Sequence, residues 1–578
     1  MSQAPPPVSC RARRGALWVW AGAVLSLFVA GRARAQATDF VRCEGQRIRA
    51  IEITTLPPYN GALNRWWEAP IRWAAALHST TRPEVVRGFL VLHEGDACTE
   101  RRREESERAL RIQPFIASAE VRARSDGAGG VVLVVVTRDE LTPVARASTS
   151  PESPFLDQLQ LGDGNVMGSG MYAAAEWRDG VVRDTYGVRV IDYQFLGRPL
   201  TMDVLGYRRD LGSSSWAVQL SRPFLTEFQR TGWRITAEDR NEVYTLYDNG
   251  EPVPLSTRRA LVNVGGLVRF GHPGAQQILG LSLSREIDET GMPPAPPEGV
   301  EFTPLLQRFE NRKNARLNVL LGLRNIRFRR MAGLEALTAV QDVPVGFQVS
   351  GLVGRSMELL GTSDDDILFA SDLYAGIGGA RRLTTARVRA EARRNFDDLT
   401  WDGILLSGSA THYIKGGGRN RFIMEGDWAA GWRERIPFQL TLGDRVGGVR
   451  GYHGSRETGA RRAVVRLEDR WLAGTPWDQA DLGLVAFVDA GRLWAGDIPL
   501  GVTTPVRVGA GVGIRVAIPP GSQRTWRLDI AYPFSRTPHT GWEIRLTAVN
   551  VHFRTTHEPN DVAWSRERSV PRSMFEWP

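Results

Sequence analysis

The sequence has no long apolar run after its N-terminal segment. In a chain of 578 residues, no later stretch approaches the roughly 20 apolar residues that a membrane-spanning helix needs. Lysine is almost absent as well, since only Lys313 and Lys415 occur, and the net charge of +9 therefore rests on arginine. The arginines are scattered, whereas a nucleic-acid-binding surface needs a concentrated basic patch. We therefore expect no nucleic-acid partner.

The common catalytic and nucleotide-binding signatures are also missing. The sequence contains no GxSxG, HExxH or GxxxxGK[ST] motif, and its eight histidines never fall in pairs at metal-ligand spacing. The acidic run 364–366 could bind calcium, but no EF-hand spacing supports an ion there, and an acidic turn before a strand is the commoner case. These absences predict a protein that is not an enzyme and holds no cofactor or metal.

The N-terminus has the features of an export signal. Three arginines precede an apolar run over 16–30, and Ala33 and Ala35 form an A-x-A cleavage site. We predict a signal peptide over 1–35. An exported chain without a helical anchor is either periplasmic or a β-barrel.

Residues 40–141 read as a small α/β domain. A strand at 49–53 is followed by an insert containing proline and tryptophan, helices over 82–91 and 100–113, and a hairpin around the glycine turn 126–130. The second helix is strongly charged and carries few apolar residues. An unrelated periplasmic α/β module would account for the same pattern.

Two cysteines, Cys43 and Cys98, remain after the signal segment, and both lie in this small domain. A pair of cysteines in a small exported domain usually forms a disulfide. A redox or metal site would need CxxC spacing or a histidine cluster, and neither is present. We therefore predict a Cys43–Cys98 disulfide.

From residue 142 to 553 the sequence consists of segments of about ten residues in which apolar and polar residues alternate, separated by Gly, Asp, Asn and Pro. Seventeen segments can be counted, or more if 158–179 is divided. Each has one apolar and one polar face, which suits a barrel wall between lipid and a wet lumen. The stretches 242–257 and 288–313 read as long loops, and a polar tail occupies 554–578.

One stretch, 443–494, stands out within this region. A glycine-rich loop carries Arg450, and two strands follow it. Alternation places Glu468 on the polar face of the first strand and Asp489 on one face of the second. The glycines permit backbone conformations that let a loop fold into a confined space.

This stretch resembles the BamA/TamA family of outer-membrane assembly factors, in which a VRGF or VRGY loop tip folds back into a sixteen-stranded barrel. The matching residues are Val449, Arg450, Gly451 and Tyr452. The resemblance implies that Arg450 meets Glu468 and Asp489 on the twelfth and thirteenth strands. It also makes residues 40–141 similar to one periplasmic POTRA repeat, and Phe553 similar to the aromatic that signals barrel assembly.

The resemblance implies a mainly β fold, with one POTRA-like domain before a sixteen-stranded antiparallel transmembrane barrel. The chain would lie in the bacterial outer membrane with its N-terminal domain in the periplasm. It would insert or translocate unfolded outer-membrane or secreted proteins, with periplasmic or lipoprotein partners bound through the POTRA-like domain. Two alternatives remain: a passive outer-membrane channel or structural barrel, and an outer-membrane enzyme, for which no catalytic set is visible.

Overall fold

The computed structural model describes residues 40–59, 65–150, 153–178, 184–209, 214–443, 447–535, 537, 540–550, 558–566 and 568. Across these residues the chain is mainly β, with a small five-stranded sheet followed by a closed antiparallel barrel. The predicted signal peptide with Ala33 and Ala35, and the predicted signal residue Phe553, lie outside the described residues. No helix in the described part of the chain is both long and apolar enough to cross a membrane.

The small domain consists of three helices and a five-stranded sheet. Its elements are β1 (Phe40–Val41), β2 (Glu44–Leu56), α1 (Ala69–Leu77), α2 (Pro83–Gly88), β3 (Ala97–Thr99), α3 (Glu100–Arg111), β4 (Ile116–Ser125) and β5 (Val131–Asp139). The sheet order is β1-β4-β5-β2-β3, with β2 parallel to β5. Alternate residues of β4 and β5, such as Val121 and Leu133, are buried in the core. Cys43 and Cys98 are joined by a disulfide with their Cα atoms 4.9 Å apart, which ties the chain before β2 to the start of α3.

The barrel follows directly. Its strands are β6 (Pro143–Ser150), β7 (Ser153–Asp163), β8 (Met171–Arg178), β9 (Thr185–Asp192), β10 (Thr201–Arg209), β11 (Ser214–Arg222), β12 (Thr231–Asp248), β13 (Glu251–His272), β14 (Ala275–Gly291), β15 (Arg312–Ala332), β16 (Val340–Ser356), β17 (Asp366–Gly378), β18 (Arg382–Asn395), β19 (Trp401–Lys415), β20 (Asn420–Trp432), β23 (Arg461–Gly474), β24 (Asp481–Trp494), β25 (Arg507–Ala517), β26 (Arg524–Pro533) and β27 (Glu543–Asn550). Four further elements are not strands of the wall, namely α4 (Thr303–Arg308), the short pair β21 (Leu440–Thr441) and β22 (Thr458–Gly459), and α5 (Asn560–Ser565).

The predicted count of sixteen strands is wrong, because the described residues form twenty barrel strands. Sixteen came from the family resemblance. The alternation in the sequence indicated seventeen or more, and those seventeen correspond to β9–β20 and β23–β27. The three strands outside those seventeen are β6, β7 and β8, and division of 158–179 would have added β8 and part of β7. β6 has Val144 as its only large apolar residue, so its sequence shows no clear alternation.

The wall turns its apolar side outward. Along β13, Val262 and Val264 are 54% and 50% exposed, while Asn263 between them is 0% exposed. On β15, Leu317 and Leu321 face outward and Arg316 is buried inside. Apolar side chains outside and ionic ones inside suit a barrel that spans a lipid bilayer.

The prediction of a loop over 242–257 is wrong, because these residues belong to a long hairpin. β12 and β13 pair up to Asp248 and Glu251, around an Asn249-Gly250 turn in which both residues have positive φ, the backbone that tight hairpin turns favour. Pro252 and Pro254 fit because β13 pairs with β14 only from Ser256 onward, so their missing N–H groups interrupt no second ladder. The second predicted loop contains α4 between β14 and β15. We call this end of the barrel the long-loop end.

The small domain covers the opposite, short-turn end. In α3, Glu105, Glu107, Arg108 and Arg111 are all buried, although so charged a helix would be expected in solvent. Arg111 donates to both carboxylate oxygens of Asp342 over 2.9 and 2.8 Å, at the start of β16. Arg111 therefore has a partner on the barrel in addition to Glu107 of its own helix.

Further bonds reach the turn between β11 and β12. Glu105 accepts the backbone N–H of Glu227 over 3.0 Å, and Arg108 donates to the carbonyl of Leu225 over 3.1 Å. Burial opposes ionisation of Glu105, but the adjacent Arg108 outweighs it, and the pKa of the Glu105 carboxyl lies below its usual value. The charges of α3 are thus satisfied partly by pairs within the helix and partly by contacts with the barrel.

Candidate functional site in the barrel lumen

The segment between β20 and β23, residues 433–460, folds back into the barrel, and we call it the lumen loop. The β21–β22 pair closes its base, and residues 444–446 lie outside the described ranges. Val449 and Tyr452 are fully buried. Val449 packs in an apolar cluster with Leu442 and Phe438, to which side chains of the barrel wall such as Val464 also belong.

Arg450 binds the barrel wall through all three nitrogens of its guanidinium group. Its Nε and Nη2 donate to the two carboxylate oxygens of Asp489, each over 2.7 Å, and its backbone N–H donates to Asp489 over 3.2 Å. Its Nη1 donates to Glu468 over 3.2 Å. The guanidinium carbon also lies 3.5 Å from the ring centroid of Phe487, at cation–π distance. A planar fork with several donors can serve two carboxylates in this way, which a lysine cannot.

The two acids occupy the sixteenth and seventeenth barrel strands, β23 and β24. The resemblance implied the twelfth and thirteenth of sixteen. Counted from the C-terminal end the positions coincide, because all four additional strands precede the lumen loop. The local relation between the loop and the strands after it is thus unchanged by the different strand number.

Glycines on the inner wall make room for the loop. A Cβ atom at Gly509 would lie 2.1 Å from the carbonyl oxygen of Arg450, and one at Gly491 would lie 2.7 Å from a methyl group of Val449. Gly451 itself has φ of +92°, where other residues are strained. The loop therefore rests directly against the backbone of β24 and β25.

Several contacts of the loop were not predicted. Tyr452 donates its hydroxyl to the carbonyl of Val508 over 3.1 Å, and Glu543 accepts the N–H of Gly451 over 2.8 Å. Arg466 donates to the carbonyl of Gly448 over 3.0 Å. Alternation along β23 did place Arg466 on the lumen face beside Glu468, and this was the available signal for it.

The ionic set continues beyond Arg450. Glu468 also accepts from Arg470, and its second oxygen lies 3.8 Å from Arg515, which in turn donates to Asp529 over 2.6 Å. A cavity of about 340 Å³ lies beside these residues and extends to Pro559. The acidic run 364–366 serves similar pairing, since Asp366 binds Arg316 over 2.8 Å. In the described part of the chain, no group of three His, Cys, Asp or Glu residues is arranged to hold a metal ion.

The comparisons with known proteins find structural likeness only. No family model and no curated protein matches the sequence. Among solved structures, the chain is similar to CdiB from Escherichia coli at 15% identity and a TM-score of 0.42, covering 87% of this chain and 75% of that one. It is similar to CdiB from Acinetobacter baumannii at 13% identity and 0.37, covering 87% and 74%.

A third similar structure is BamA from Haemophilus ducreyi lacking POTRA domains 1–3, at 13% identity and a TM-score of 0.36, covering 87% of this chain and 84% of that one. Identities and scores this low carry no weight for the site or the activity. The resemblance of this chain to the BamA/TamA family therefore rests on its own VRGY tip, bound to Glu468 and Asp489 inside a barrel.

Proposed function

We propose that the chain is an outer-membrane barrel of the BamA/TamA type that inserts or translocates other polypeptides. The observation that carries this proposal is the bidentate bond from Arg450 to Asp489, with Glu468 on the third nitrogen. A buried charge set of this kind depends on all its members. The charge set holds the lumen loop in one position. A barrel that controls the passage of polypeptides through its lumen needs a loop fixed in this way.

The orientation in the membrane follows from loop length. Bacterial barrels place short turns in the periplasm and longer loops outside the cell. The POTRA-like domain covers the short-turn end and would lie in the periplasm, where it can receive unfolded polypeptides and periplasmic or lipoprotein partners. The proposal includes no bond-making step, no cofactor and no nucleic acid.

A passive channel or structural barrel is the alternative. The small domain across one end and the lumen loop inside the wall argue against a permanently open pore, because both occupy the path that a solute would take.

Depletion of the protein distinguishes the two functions. We expect loss of other barrel or surface-exposed proteins from the outer-membrane fraction, measured by quantitative proteomics. Re-expressed wild-type protein should restore them, and Arg450→Ala at equal abundance should not. If solute flux falls while the outer-membrane proteome is unchanged, the proposed function is wrong and the passive channel is correct.

A further inference from the structure

Residues 558–566 and 568, which we call the C-terminal segment, lie inside the barrel together with the lumen loop. The segment belongs to the polar tail and contains α5. Although it is polar, Val562 is 0% exposed and Arg566 is 1% exposed. A polar tail would remain in solvent unless the lumen supplied a partner for each charge, because burying an unpaired charge is costly.

The first such partner is Arg462 on β23. It donates to both carboxylate oxygens of Asp561, over 2.5 and 3.0 Å. It also donates to the carbonyl of Thr441 over 2.7 Å, and the N–H of Thr441 reaches Asp561 over 3.4 Å. Asp561 is thereby joined to the wall and to the base of the lumen loop at once.

A second group of partners lies on β18 and β19. Arg566 donates to Glu558 over 2.6 Å within the segment and lies 3.6 Å from Glu391 on the wall. Glu558 accepts from the hydroxyl of Ser407 over 2.7 Å and lies 3.3 Å from Arg389. Each of these two charged residues of the segment thus lies near a residue of opposite charge on the wall.

A third group lies on β12 and β13. The ring of Trp564 stacks on that of Tyr244 with centroids 5.6 Å apart, and its carbonyl accepts from Arg259 over 2.5 Å. Arg568 lies 3.4 Å from Glu238. The three groups together span the lumen from β12 to β23.

Val562 joins the segment to the loop. It packs in the same buried cluster as Phe438, Leu442 and Val449 of the lumen loop, while Pro559 approaches Gly447 so closely that a Cβ there would lie 2.7 Å from it. Loop and segment therefore pack against each other inside the lumen.

We propose that the lumen wall carries a binding site for a short polypeptide segment, and that the chain's own C-terminal segment is its resident ligand and closes the passage. Its partners on the wall are side chains of barrel strands, with two carboxylates and three arginines set for a segment of alternating charge with one aromatic residue. The barrel sheet is hydrogen-bonded strand to strand without it, so the segment can leave while the barrel stays closed. This inference rests on the proposed function, since a translocating polypeptide would use the same surface once the segment is displaced.

Ion conductance of the purified full-length protein in planar bilayers tests the proposal. We expect low conductance for the wild type and a several-fold increase for the double variant Asp561→Arg/Arg566→Glu, which reverses two charges of the segment and keeps every other residue. A synthetic peptide of residues 558–568, added to the variant, should lower the conductance again, and a scrambled peptide of the same composition should not. A double variant that shows the same heat-dependent gel shift as the wild type but no higher conductance would overturn the proposal, as would equal effects of the two peptides.

A labelling experiment covers the case in which the double variant fails to assemble. Val562→Cys in the otherwise native chain should react slowly with a water-soluble maleimide, and Gly417→Cys, in the exposed turn between β19 and β20, should react fast. Equal rates would show that the segment does not occupy the lumen. Neither measurement involves a substrate, so either outcome leaves the proteomic test of the proposed function unaffected.

Discussion

Two segments lie in the lumen, and the wall holds them in different ways. The lumen loop is bound by strands that follow it closely, through Glu468, Asp489 and Glu543. The C-terminal segment is bound by strands that precede it at long range, from Glu238 on β12 to Arg462 on β23. Both have a buried Arg–Asp pair at the centre, Arg450–Asp489 in one and Arg462–Asp561 in the other.

The comparison indicates that the lumen loop is a fixed part of the barrel and that the C-terminal segment can be exchanged. Strands β20 and β23 hold both ends of the lumen loop, residues 433–460. The loop is also packed against glycine backbone of the wall, so it cannot leave the lumen without losing those contacts. The C-terminal segment is joined to the barrel strands only through its N-terminal end. The same bond chemistry should therefore have a large effect on barrel stability at one site and a small effect at the other.

The largest effect is expected from Asp489→Asn. Arg450 would keep its buried position with one carboxylate removed, and loss of one partner from a buried pair typically costs about 3–5 kcal/mol. The free energy of unfolding of the purified barrel, measured by urea titration in detergent or lipid, should fall by that amount. Asp203→Asn is the matched control, because Asp203 pairs with the half-exposed Arg189 on the wall, and an exposed pair contributes at most about 1 kcal/mol.

A charge exchange sharpens this result. Arg450→Asp alone should be as damaging as Asp489→Asn, and Arg450→Asp combined with Asp489→Arg should recover part of the stability, because the opposite charges face each other again. If Arg450→Asp has no effect on stability or function, the loop is not held by this bond.

An intermediate effect is expected from Gly509→Ala. The new methyl group would lie 2.1 Å from the carbonyl oxygen of Arg450, so the loop backbone must shift, and overpacking of this kind typically costs about 1–3 kcal/mol. Gly206→Ala, on β10, provides the control, because no atom lies within 4 Å of its Cβ position. Equal stability of the two variants, measured by the same urea titration, would contradict the close contact between loop and wall.

The difference between the two segments also explains what the sequence could predict. The loop site could be predicted because the VRGY tip and the two acids lie within one short stretch that resembles the BamA/TamA family, while alternation only assigned each acid to a face of its strand. Mainly β architecture and the outward apolar face could be predicted from the same alternation. The binding site of the C-terminal segment could not be predicted, because its residues on the wall lie up to several hundred residues away in the sequence and no local periodicity connects them.

The errors have the same origin. The burial of α3 had no local signal in the sequence, because Asp342, which binds Arg111, lies on the barrel. The strand count taken from the resemblance, sixteen, was less accurate than the count taken from alternation, which gave seventeen or more among the twenty strands. Pairing across a long sequence separation has no local signal, so these features required the structure.

The smallest effect on barrel stability is expected from Asp561→Asn. Arg462 loses a carboxylate just as Arg450 does in Asp489→Asn, but the segment can detach and let water reach Arg462. The free energy of unfolding should therefore fall by less than about 1 kcal/mol, the value for a solvated pair. The labelling rate of Val562→Cys should rise in the same variant, since the segment has lost its central bond to the wall. If Asp561→Asn destabilises the barrel as much as Asp489→Asn does, the segment is a structural part of the barrel and not an exchangeable ligand of its lumen.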